Sequence, residues 1–164
     1  MTGASSGATR IGSTAPQALE FFAGIGLARL GLEEAGFHVA WSNDIDHAKC
    51  QMYRNQFGNN EQEHTLIEGD MGELHGSDLP HNISIAWGSS PCTDISLAGT
   101  RTGLNGKQSS AFWQYIRLLE EMGNNRPPVA VLENVAGLAT SHSGEDIAAA
   151  VSAFNQLGYS VDAL

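Results

Sequence analysis

The stretch Ala-Leu-Glu-Phe-Phe-Ala-Gly-Ile-Gly-Leu-Ala-Arg-Leu-Gly-Leu-Glu-Glu-Ala-Gly, residues 18–36, reads as strand, glycine turn and helix. Residues 18–22 are a candidate first strand and Ala-Gly-Ile-Gly follows at 23–26. Leu27, Ala28, Leu30, Leu32 and Ala35 then recur in a helical pattern that Gly36 closes. Gly24 and Gly26 allow a tight turn and close approach by a ligand, which would meet the N–H groups at the helix start. The third glycine is Gly31, so the spacing is not that of the dinucleotide fingerprint, and an ordinary turn stays open as a reading.

Working outward, residues 37–41 read as a second strand, and Asp44 lies 18 residues after Gly26. That is near the roughly 20 expected of an acid that holds ribose hydroxyls. Asp46 is placed to cap a helix from residue 47 to about 57, with Cys50, Tyr53 and Phe57 on its uneven apolar face. Residues 65–68 make a third strand, ended by Gly69-Asp70-Met71, where Asp70 is equally a turn residue. Residues 83–87, Ile-Ser-Ile-Ala-Trp, read as a buried strand of a parallel sheet. Gly-Ser-Ser-Pro-Cys-Thr-Asp-Ile-Ser at 88–96 then puts Cys92 directly after Pro91 at the carboxyl end of that strand, where open α/β sheets bind their ligands. Pro91 stiffens the peptide before the thiol and biases Ser90 toward an extended conformation.

Residues 94–109 carry Gly99, Gly103, Gly106, Arg101 and Lys107 with little apolar periodicity and read as a mobile loop. An amphipathic helix over 111–122 turns Phe112, Tyr115, Ile116 and Leu119 inward, and Gly123 and Pro127-Pro128 stop it. A fifth strand spans 129–132. Glu133-Asn134-Val135 stands at its mouth, where partial burial would let Glu133 carry a proton near neutrality, unless it is a carboxylate paired with Arg126. A helix from 144 to 158 follows, and residues 159–164 begin a sixth strand.

These 164 residues, 41% hydrophobic, suffice for one α/β domain with a real core. Residues 1–17, rich in Ser, Thr, Gly and Ala, read as a disordered leader. With net charge -10 and only 8 Lys and Arg, the chain taken alone argues against a nucleic-acid surface. Two cysteines without CxxC spacing suggest neither a disulfide framework nor a zinc site and fit a reducing cytoplasm. The six histidines show no metal spacing and read as surface residues. No apolar run approaches the length needed to span a bilayer, so the chain is expected to be soluble, cytoplasmic and without a membrane partner.

Phe-Phe-Ala-Gly-Ile-Gly at 21–26, Ser-Pro-Cys-Thr at 90–93 and Glu-Asn-Val at 133–135, in that order and spacing, resemble the cytosine-5 DNA methyltransferases. The resemblance runs from about residue 18 to residue 164. It implies a doubly wound, Rossmann-like methyltransferase fold with a mostly parallel sheet and S-adenosyl-L-methionine as cofactor. Carried over, Phe22, Gly24, Ile25, Gly26 and Leu27 would line the methionine and adenosine pocket. Asp44 would take the ribose hydroxyls with Ile45 against the adenine, and Asp70 with Met71 would read the adenine edge. Cys92, held by Pro91, would be the nucleophile, Glu133 its acid partner and Asn134 a fixing residue for the loop. Arg101 and Lys107 would meet DNA phosphates.

Glu20 stands where the family often has Asp, and Thr93 where Gln commonly follows the nucleophile. The family's arginine-bearing motif, its target-recognition domain and the C-terminal helix completing the cofactor pocket have no counterpart here. Residues 18–164 therefore read as the amino half of a catalytic domain, truncated before the last strand and in need of a complementing C-terminal half or subunit. An RNA (tRNA) cytosine-5 methyltransferase, a non-catalytic cofactor-binding subunit or truncated gene product, and an unrelated nucleotide-binding domain are the competing readings.

Overall fold

Strand β1 (Gln17–Phe21) is the centre of the sheet, and its side chains alternate between two helical layers. Leu19 and Phe21 face a core with Trp41, Phe112, Tyr115 and Phe154, whereas Ala18 joins Leu32 and Val39 on the opposite face. The structure, a computed structural model, describes residues 15–58, 63–91 and 111–164. After β1 come α1 (Leu27–Glu34), β2 (His38–Asp44), α2 (His47–Phe57), β3 (Thr65–Glu68), β4 (Ile83–Gly88), α3 (Ala111–Glu121), β5 (Val129–Leu132) and α4 (Glu145–Gln156).

All the strand pairs are parallel and the order is β3-β2-β1-β4-β5. The chain therefore winds outward from β1 through β2 to β3, then returns to the other side of β1 for β4. The reversal between β1 and β4 opens a crevice at their carboxyl ends, the usual binding place in such sheets. The glycine turn leaves β1 at that crevice, and the Ser89-Ser90-Pro91 segment leaves β4 beside it.

Helix α3 behaves as its periodicity requires, with Phe112, Tyr115, Ile116 and Leu119 fully buried. Each such side chain is worth about 1.5–3 kcal/mol of burial. The Tyr115 hydroxyl donates to Ala86 O at 3.0 Å and Val131 O at 3.2 Å, tying α3 to β4 and β5. A side chain at Gly88 would meet the Tyr115 ring at 3.0 Å and push it by a few tenths of an ångström, against the two bonds that hold its hydroxyl, so this close approach favours glycine at the end of β4.

Two expectations are corrected. Residues 159–164 form no strand: β5 leaves an open edge on that side among the described residues, but this segment does not pair with it. Tyr159 instead anchors this segment by donating its hydroxyl to Pro127 O at 2.7 Å and packing edge-on against Phe154. His64 is no surface residue. It is half-buried, stacks on Tyr53 at 5.5 Å and bonds through Nδ1 to Val39 O at 2.9 Å. Burial pushes its pKa down to about 4, which leaves it neutral near pH 7.

Candidate active site

The glycine turn and Asp44, linked in the sequence by their spacing, meet in the structure. The Gly24 N–H donates to Asp44 Oδ2 at 2.7 Å, and the Asp46 N–H donates to Oδ1 at 2.8 Å. Asp44 ends β2 and is 7% exposed. A carboxylate offers about four lone-pair sites, so two remain for further donors. Gly24 and Gly26 have φ of 57° and 87°, a region that costs glycine little and other residues more. Phe22, half-buried, has φ 58° without that freedom, so the turn also bends the chain at its entry.

Apolar side chains stand exposed around this bond. Leu27 is 70% exposed, Ile45 69% and Ile25 44%, each within three residues of Gly24 or Asp44. Asp46 caps α2 as expected, accepting from the Lys49 N–H at 3.1 Å. Asn43 donates to Ile67 O and Gly69 O, both at 3.0 Å, and so holds the end of β3 against β2. Asp70 follows there, exposed, with its Oδ1 accepting the Gly72 N–H at 2.7 Å, which is the turn role the sequence left open. Met71 is turned away into the core, 5% exposed, with its carbonyl accepting from Arg117 at 2.8 Å.

At the other side of the crevice, the Ser89 N–H donates to Phe21 O at 3.4 Å and the Glu133 N–H to Gly88 O at 2.8 Å. Asn134 Nδ2 reaches Ser90 O at 3.0 Å and Ser90 Oγ at 3.2 Å. The Glu-Asn-Val stretch and the segment leading to Cys92 are thus pinned together, with Pro91 exposed at its end. Cys92, Arg101 and Lys107 lie outside the described residues. Glu133 is exposed, not partly buried, since it projects from the end of an edge strand. The pairing with Arg126 is absent: that guanidinium donates to Leu119 O at 2.8 Å and to Leu157 O.

Residues 17–164 match the family model for C-5 cytosine-specific DNA methylase. The chain belongs to the C-5 cytosine-specific DNA methylase family. It is 31% identical over 153 residues to the type II methyltransferase M.NgoFVII of Neisseria gonorrhoeae, covering 92% of this chain and 38% of that one. It is 29% identical to M.Eco47II of Escherichia coli, covering 93% of this chain and 35% of that one. The fold is shared with the solved Dnmt2 methyltransferase of S. pombe at a TM-score of 0.59 and 20% identity, over 84% of this chain and 41% of that one. The chain spans well under half the length of the curated relatives it matches.

Within this methylase domain the sequence reading missed a buried network behind the glycine turn. Glu20 is wholly buried, and its Oε1 accepts the Arg29 N–H at 2.9 Å. Its Oε2 accepts from Ser42 Oγ at 2.8 Å and from the Tyr53 hydroxyl at 2.9 Å. The available signal was a lone acid inside the apolar β1. The other cysteine of the methylase domain, Cys50, is fully buried on α2 with its thiol 3.5 Å from Asp44 O. Burial, then the nearby Asp44 and Glu68 charges, pushes that thiol up. Cys50 should therefore resist iodoacetamide until the chain is denatured, as peptide mass spectrometry would report; ready labelling in the native state would contradict this packing.

Proposed function

We propose that residues 17–164 form the partial catalytic domain of a cytoplasmic cytosine-5 DNA methyltransferase, with a leader that ends before Gln17, a residue already paired in β1. It would act on C5 of cytosine through a covalent cysteine adduct once a C-terminal half completes it, in cis or as a second chain. The observation that carries the reading is the Asn134–Ser90 contact, because it joins the acid-bearing loop to the peptide two residues before Cys92, at the edge that also holds the Gly24–Asp44 pair.

The residues fit S-adenosyl-L-methionine. Asp44 has two lone-pair sites left for ribose hydroxyls, Ile25, Leu27 and Ile45 offer apolar surface, and Phe22 and Gly24 are part-exposed at the turn whose buried Gly26 rests on the Tyr53 and Phe57 rings. Asp70 would take the adenine edge, with Met71 fixing its turn from the core. When bound, the cofactor supplies the methyl group.

The chain's own residues supply the rest. The Cys92 thiolate forms a bond to C6 of cytosine, and the electron pair displaced from the ring's C5–C6 bond makes C5 nucleophilic. Glu133 gives a proton toward N3, where negative charge would otherwise collect. Pro91 and Asn134 keep the thiol and the acid in one arrangement. After transfer a base removes the C5 proton, the C5–C6 double bond re-forms, the thiolate leaves and the N3 proton returns to Glu133. The base must first leave its duplex, and Arg101 and Lys107 would meet DNA phosphates. Most of the DNA surface would come from the complementing half, given the net charge of -10 here.

The test is tritium transfer from labelled S-adenosylmethionine to DNA. The 164-residue chain should bind cofactor weakly yet transfer no methyl, and adding the C-terminal half of a relative such as M.NgoFVII should restore transfer. Sustained transfer by the chain alone would refute the need for completion. Cofactor binding with no transfer in any combination would leave a non-catalytic subunit, and transfer to tRNA alone would replace DNA as substrate.

A further inference from the structure

We propose that Tyr53 of α2 is a positioning residue for the cofactor turn, acting through Glu20 on the first turn of α1; this rests on the cofactor reading above. Helix α1 starts at Gly26, which has no side chain to satisfy the free N–H groups of the first turn. Glu20 supplies the missing acceptor from the neighbouring strand by taking the Arg29 N–H, and its negative charge faces the positive end of the helix. A fully buried carboxylate is costly unless its oxygens are bonded. Tyr53 and Ser42 bond the second oxygen and leave the first to the helix. Burial pushes the Glu20 carboxyl up, and the bonds from Ser42, Tyr53 and Arg29 oppose that shift.

The same helix forms the floor under the turn. A Cβ on Gly26 would lie 2.3 Å from Phe57 Cε2 and 2.9 Å from Tyr53 Cε2, so the backbone of the turn rests directly on these two rings. The Arg29 guanidinium covers them from the side, 4.3 Å from the Phe57 ring centre, and its Nη1 donates to the Tyr53 hydroxyl at 3.4 Å. Asp44 holds the Gly24 N–H on the other side. The glycine backbone is thus clamped between a carboxylate that keeps two acceptor sites for ligand and a carboxylate that touches none. An apolar side chain at position 20 could fill β1 without the desolvation cost, but it could not cap α1.

Tyr53→Phe keeps the ring under Gly26 and removes only the donor to Glu20. In the 164-residue chain, amide hydrogen exchange without ligand should speed up at Gly24 and Arg29 relative to the β1 and β4 amides. The affinity for S-adenosyl-L-homocysteine by calorimetry should fall about tenfold, the size of one hydrogen bond to a charged group. Ser42→Ala, which removes the other donor to the same oxygen, should act in the same direction. A uniform loss of protection over the whole domain in both variants would make Tyr53 merely stabilising and overturn the proposal. So would unchanged exchange at Arg29 in both. If the unaltered chain bound no S-adenosylhomocysteine, the cofactor reading would fail, while the ligand-free exchange pattern would still decide whether Tyr53 positions the turn.

Discussion

Cys92→Ser, in an enzyme completed by its C-terminal half, is expected to lose methyl transfer by a factor on the order of 10⁴ or more, as removal of a nucleophile does. Cofactor affinity should stay within about twofold, because none of the residues around the Gly24–Asp44 bond is touched. The size of the loss follows from the chemistry of the attacking atom. A thiolate is accessible near neutrality, adds readily to a polarised double bond and leaves again, whereas a serine hydroxyl of nearly the same shape is almost never ionised there. Steady-state rates with S-adenosyl-L-homocysteine binding measured alongside separate the two effects. A variant that lost both activities together would point to misfolding, and one that kept near-normal turnover would remove Cys92 from the mechanism.

Glu133→Gln should slow transfer on the order of 10² or more, the usual range for a general acid, with little change in cofactor affinity. Glutamine keeps the shape and can donate a hydrogen bond, but it cannot deliver a proton to N3. Because Glu133 stands exposed at the end of β5, its desolvation has to come from the entering base and from the half that completes the site. Comparing single-turnover rates of the two proteins isolates the chemical step. Normal turnover in Glu133→Gln would leave this acid a structural residue of the loop.

Most of the fold was legible because its elements carry local signals. The helix over His47–Phe57 and the strands Thr65–Glu68 and Val129–Leu132 fall at the residues that capping, periodicity and glycine stops indicate. Strand β2 runs on to Asp44, beyond the reading that stopped at Trp41. Ser42, Asn43 and Asp44 look like a polar loop in isolation; in the fold each has a hydrogen-bond partner, in Glu20, the end of β3 and Gly24 respectively. Tyr159 and Val161 alternate like a strand, yet pairing is not a local property, and this segment does not take the open edge of β5.

The candidate site divides in the same way. Gly24, Gly26 and Asp44 could be paired from their distance along the chain, since one strand–turn–helix–strand unit brings such residues to one sheet edge. The Asn134–Ser90 contact joins the ends of β4 and β5; the resemblance implied only that Asn134 fixes its loop, and the partner came from the fold. Of the Glu20–Ser42–Tyr53 network, only the lone acid inside β1 was a signal. The network depends on three side chains from three elements pointing to one buried oxygen, and no spacing rule encodes that.

The proposal that cytosine is held through Cys92 is tested most directly by trapping. DNA containing 5-fluorocytosine blocks the proton removal that releases the enzyme, so the completed enzyme with S-adenosylmethionine should form a stable adduct. Tryptic mass spectrometry should find the methylated fluorocytosine on the peptide containing Cys92 and leave Cys50 unmodified. An adduct on Cys50, or transfer to ordinary DNA with no adduct on fluorocytosine DNA, would contradict the account.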